Sequence, residues 1–90
     1  MNILETYRKI ELAYNDCYAS SWLTLQYLCQ CIYDDLNKEY FNNKLSIKVD
    51  DDYINIDGVE YDVVDSLYYL ERIYELQCIK KKIERINEIN

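Results

Sequence analysis

The chain contains no histidine and no proline, and glycine occurs once, at position 58. Without histidine there is no Ser-His-Asp or Cys-His nucleophile system, no imidazole metal ligand and no imidazole base working near neutral pH. With so few breakers, most of the 90 residues are expected in regular elements joined by short connections. Long hydrophobic runs are missing too. No apolar stretch approaches the roughly 18 residues of a membrane span, and the opening MNILETYRKIELAY lacks the basic-then-apolar layout of a signal peptide. The expectation is a soluble, intracellular, cytoplasmic protein that does not engage a membrane.

Cofactor signatures are equally scarce. The four cysteines are Cys17, Cys29, Cys31 and Cys78. Structural zinc sites bring ligands in close pairs such as C-x-x-C. Here only Cys29 and Cys31 are close, and on a helix they point about 200° apart. They are read as small apolar residues, with a redox role for Cys17 or Cys78 as the lesser alternative. The run Asp50-Asp51-Asp52 invites a calcium loop, but counted from Asp50 the fifth position is Ile54, the sixth Asn55 and the twelfth Tyr61, where an EF-hand needs an oxygen ligand, glycine and glutamate. No metal, cofactor or catalytic residue is expected, and the chain is read as a non-enzyme.

What is present is a foldable domain with one unusual segment. Half the residues are hydrophobic, too many for a disordered chain even at a net charge of −7. One compact domain over residues 1–90 is expected. Ile3, Tyr7, Ile10, Tyr14 and Cys17 repeat at four and three residues, one stripe of a first helix over 2–16. A second helix is expected from Ser20 or Ser21, with Trp22, Leu25, Cys29, Ile32, Leu36 and Tyr40 as its stripe. Leu23, Tyr27 and Cys31 widen that stripe, as in a central helix. Asn42 and Asn43 are the expected stop.

Residues 45–65, LSIKVDDDYINIDGVEYDVVD, hold seven of the 17 acids and one of the ten bases. Leu45, Ile47 and Val49 alternate with polar residues, which marks a half-buried strand. Turning at Asp51-Asp52 sets Val49 opposite Ile54 and Ile47 opposite Ile56, and a slip of one residue would set apolar against polar positions. Asp57-Gly58 is a strong two-residue hairpin signal, pairing Ile56 with Val59, Asn55 with Glu60 and Ile54 with Tyr61. The expected result is a three-stranded antiparallel meander. Its dry face carries Ile47, Val49, Ile54, Ile56, Val59 and Tyr61, and its wet face Lys48, Asp50, Tyr53, Asn55, Glu60 and Asp62.

A long last helix should begin near Asp62 or Asp65, with acids in its first turn as the helix dipole prefers. Val63, Leu67, Leu70 and Tyr74 form one stripe, and Leu76, Ile79, Ile83 and Ile86 continue it after a shift. Its C-terminal half is expected to pack on the first two helices or on a second copy of the chain. Lys80, Lys81 and Lys82 read as a solvated helix end, and the acidic balance disfavours direct binding of nucleic acid. The fold class is α+β, in the order ααβββα. Of 11 tyrosines, spacing puts Tyr7, Tyr14, Tyr40, Tyr61 and Tyr74 in the core, and Tyr33, Tyr53 and one of Tyr68 and Tyr69 at the surface.

An acidic edge seeded with tyrosine points to a protein partner with a basic surface, because strand-spaced carboxylates can imitate a row of phosphates. The residues expected to carry binding are Asp50, Asp51, Asp52, Tyr53, Asp57, Glu60 and Asp62. In build, the chain is similar to small phage-encoded inhibitors of host defence, anti-CRISPR proteins among them. That resemblance implies inhibition or regulation of a nucleic-acid-binding protein inside the infected cell. The alternative is an assembly module, a homodimer joined through the last helix.

Overall fold

The computed structural model describes residues 1–16, 22–50 and 53–89. It runs α1 (Ile3–Asp16), α2 (Trp22–Phe41), β1 (Ile47–Asp50), β2 (Tyr53–Ile56), β3 (Val59–Tyr61) and α3 (Val63–Ile89), the expected ααβββα order. Local chemistry sets most of these boundaries. Asn2 caps α1: its Oδ1 accepts from the Glu5 N–H at 3.1 Å. At the end of α2, Asn42 and Asn43 take left-handed backbone (φ 53° and 60°), and the Asn43 N–H reaches back to the Asn37 carbonyl at 2.9 Å. Asp62 opens α3 by accepting from the Asp65 N–H at 2.7 Å. The expected turn at Asp51-Asp52 and the expected helix start at Ser20 or Ser21 lie outside the described residues.

The strand order is β1-β2-β3, with Ile47 opposite Ile56, Val49 opposite Ile54, Ile54 opposite Tyr61 and Ile56 opposite Val59. This is the register expected from the alternation. Asp57 (φ 51°) and Gly58 (φ 90°) both adopt the positive φ that a type I′ turn demands. The dry face of the sheet packs on two helices, α2 over β1 and α3 over β2 and β3, while α1 packs on both α2 and α3. The core is Ile10, Leu25, Cys29, Tyr33, Leu36, Phe41, Val49, Ile54, Ile56, Leu67 and Leu70. Tyr74 ties the helices together, edge-on to Tyr40 at 5.1 Å and to Phe41 at 6.3 Å.

Three expectations are corrected. Tyr33, expected at the surface beside Asp34 and Asp35, is fully buried, because the buried stripe of α2 runs Leu25, Cys29, Tyr33, Leu36. Tyr7 and Tyr14, expected in the core, lie partly in solvent, because α1 turns Thr6 and Ile10 inward, with Ile3 and Ala13 beside them. Val59 is 53% exposed although it shares the dry face, since helix cover does not reach the hairpin tip. For the C-terminal half of α3, expected on the first two helices or on a second copy, Gln77, Lys81 and Glu84 border a groove with Tyr40 and Phe41 of α2, whereas Leu76, Ile79, Ile83 and Ile86 are each at least half exposed.

Candidate protein-binding face

Pleat geometry sends Lys48, Asp50, Tyr53, Asn55 and Glu60 to the face opposite the core. Register arranges them in two rows. Lys48, Asn55 and Glu60 lie side by side across β1, β2 and β3. Asp50 lies opposite Tyr53, while Asp62, just past the end of β3, turns its carboxylate to the start of α3. Neighbouring strands stand about 4.8 Å apart, so Tyr53 projects beside the Asp50 carboxylate position. The phenol ring is 53% exposed. Asp50, Glu60 and Asp62 are exposed as well.

The acids expected to bind a partner differ in their local duties. Asp57 sits in the hairpin turn at the far end of the sheet, where its Oδ1 accepts from the Ser46 N–H at 2.9 Å and its own N–H donates to the Ser46 carbonyl at 2.9 Å. Asp62 caps α3. Asp50 and Glu60 make no hydrogen bond or ion pair with another described side chain, and the ion pair among the described residues is Lys9–Glu5 on α1, at 3.9 Å. Among the described residues, the wet face thus carries its acids without an ion pair, with Lys48 as its one base. Asp51 and Asp52 lie outside the described residues, as does Cys17.

One group of residues that bears on this face is hard to see in the sequence: the amides of α2. Gln30 donates from Nε2 to the Ile47 carbonyl at 2.9 Å and accepts at Oε1 from the Val49 N–H at 2.7 Å. Gln26 donates to the Val49 carbonyl at 2.9 Å. Asn37 brackets Leu45, donating to its carbonyl at 2.8 Å and accepting from its N–H at 3.2 Å. Together they occupy the outer edge of β1 much as another strand would. The opposite edge, β3, is three residues long and carries the outward Glu60 backbone. The signal that could have found the amides is their placement at 26, 30 and 37 on the helix just before an edge strand.

Elsewhere, α1 and α3 enclose a shallow apolar groove of about 470 Å³ lined by Ile3, Leu4, Tyr7, Val64, Leu67, Tyr68 and Glu71. Among the described residues, no three His, Cys, Asp or Glu side chains are grouped to hold a metal ion, and no helix is long and apolar enough to cross a membrane. The fold and the face define a small α+β protein with an acidic, tyrosine-centred sheet surface. No protein-family model, curated protein or solved structure matches the chain.

Proposed function

We propose that the wet face of the sheet docks on a basic surface of another protein and, in doing so, inhibits or regulates it. The observation that carries this reading is exposed Tyr53 beside Asp50, on a face that among the described residues carries Lys48 as its one base and forms no ion pair. Tyrosine supplies buried contact area with a polar tip, and the neighbouring carboxylates steer a cationic partner and exclude an anionic one. A partner groove that normally binds nucleic acid fits this pattern best. The protein would occupy that groove itself and bind no nucleic acid directly. The build resembles that of small phage-encoded inhibitors of host defence, and on this reading the protein acts in the cytoplasm of the infected cell.

The test is capture of partners from a host lysate by the wild-type chain and by Asp50→Asn/Asp62→Asn/Tyr53→Ala. Asparagine at position 62 retains an acceptor for the helix cap, so the fold is preserved while the charge is lost. The specific partner should be retained by the wild type, released by rising salt, competed off by double-stranded DNA, and absent with the variant. Glu11→Gln, at an exposed acid on α1 away from the sheet, serves as the control and should capture normally. A partner held equally by the triple variant, or unmoved by salt, would sink the reading.

A further inference from the structure

α3 changes faces along its length. At about 100° per residue, Ser66, Leu67, Leu70 and Tyr74 point toward the body, and the first two and Leu70 are fully buried. Beyond Tyr74 the same face turns polar, with Gln77, Lys81, Glu84 and Arg85 all exposed. The apolar residues reappear on the opposite side, about 180° round the helix. There Leu76, Ile79, Ile83 and Ile86 are 50%, 53%, 53% and 58% exposed. A helix that becomes polar toward its own body and apolar away from it is suited to leave the body and meet something else.

We propose that this stripe joins copies of the chain, three or four α3 arms forming a short parallel bundle. The spacing is that of two heptads, with Leu76 and Ile83 at a and Ile79 and Ile86 at d. Leucine at a with isoleucine at d, followed by isoleucine at both, favours more than two strands. The flanks select direction. In a parallel arrangement Glu75, at g, faces Lys80 of the next copy, at e, and Lys82 faces the uncharged Asn87. An antiparallel arrangement about the middle of the stripe would set Lys80 beside Lys80 and Lys82 beside Lys82 of the neighbouring copy. Charge therefore complements itself in parallel and repels in antiparallel. The seam begins beyond Tyr74, whereas Tyr69 against β3 and Tyr68 in the α1 groove mark the stretch of α3 that the body flanks. Arg72, the next d position toward the body, ends the seam by placing a charge on the axis. This surface is separate from the acidic sheet face, and the inference does not depend on the docking reading.

Sedimentation equilibrium of the full chain, from micromolar to millimolar concentration, tests the assembly. The mass should rise to that of a trimer or tetramer, and Ile79→Glu/Ile83→Glu, a change on exposed positions, should remain a monomer with unaltered helix content. A wild-type monomer throughout, which would leave the stripe to a foreign helix, overturns the proposal. So does a plain dimer, or an oligomer that survives the double glutamate change. Orientation is read with Ile86→Cys in a chain where Cys17, Cys31 and Cys78 are serine and buried Cys29 is kept. Parallel arms bring position 86 against itself, so mild oxidation should link copies in pairs. An oligomer that does not cross-link, as antiparallel arms with Ile86 against Leu76 would behave, overturns it.

Discussion

A fully buried phenol needs a partner for its hydroxyl, and Tyr33 finds the Ser66 Oγ at 2.6 Å. Ser66 gives its own proton to the Val63 carbonyl at 2.7 Å, so the Tyr33 hydroxyl is the donor in that bond. Tyr33→Phe should then cost about 1–2 kcal/mol in denaturant unfolding, the loss of one buried hydrogen bond, whereas Tyr33→Ala should cost about 3–5 kcal/mol through the cavity it leaves. Burial pushes the phenol well above its ordinary 10.0, and the hydrogen bond with Ser66 only partly offsets that rise. With the folded value raised, the contribution of Tyr33 is complete below the unfolded value of 10.0 and is lost as pH climbs above it. The stability gap between wild type and Tyr33→Phe should therefore narrow progressively as pH rises above about 10, and a constant gap would contradict the raised value of the buried phenol. The sequence hid this residue because Asp34 and Asp35, its neighbours along the chain, point about 100° and 200° away from it on the helix. Sequence adjacency to acids says nothing about the face that Tyr33 itself occupies. Asp62 poses the opposite case, since one carboxylate serves both the cap and the proposed docking row. Asp62→Ala should lower stability by about 1 kcal/mol, while Asp62→Asn should leave it within about 0.5 kcal/mol. Thermal unfolding of the pair separates the cap from the charge.

Among the elements, the meander was the most legible in the sequence and its edges the least. Period-two alternation fixes which residues share a face, and Asp57-Gly58 accepts the two positive φ values of the turn, so strand count and register follow from the residues alone. How an edge is closed does not follow from alternation. Gln26, Gln30 and Asn37 look like any polar face of a helix until the fold lays β1 alongside them. The exposure of Val59 escaped for a related reason, because pattern assigns a face but not how far the covering helix extends. The amide closure makes a specific prediction. Gln30→Leu leaves the Val49 N–H and the Ile47 carbonyl without their partners, which should cost about 1–3 kcal/mol. Hydrogen exchange at the Val49 amide should accelerate more than at Ile54, whose backbone groups lie within the sheet. Exchange rising equally at both residues would mean that Gln30 supports the whole fold and not the edge. The open strand then also becomes a site for intermolecular pairing, visible as light scattering on mild heating.

At the scale of the molecule, a compact chain of this length has a radius of gyration of about 12 Å, yet this one reaches 15.4 Å and measures 59 × 25 × 19 Å. The excess is the arm. α3 has 27 residues, about 40 Å of helix, and the sheet and the other two helices cover only its first half. An arm whose apolar side faces away from its body adds little to the stability of a single copy. Ile79→Glu/Ile83→Glu should accordingly unfold within about 0.5 kcal/mol of the wild type when both are dilute. As concentration rises the two should part: assembly through the arms stabilises the wild type by mass action, so its melting temperature climbs with concentration while that of the variant stays level. Parallel arms also gather their bodies at one end, which would present several acidic faces to one partner or to an array of them. A partner with repeated basic sites should then release the double glutamate variant faster than the wild type, although the contacting residues are identical, because the second contact is no longer tethered by the first. Equal release rates from such a partner, with the wild type assembled, would mean that the gathered faces do not point toward a common target.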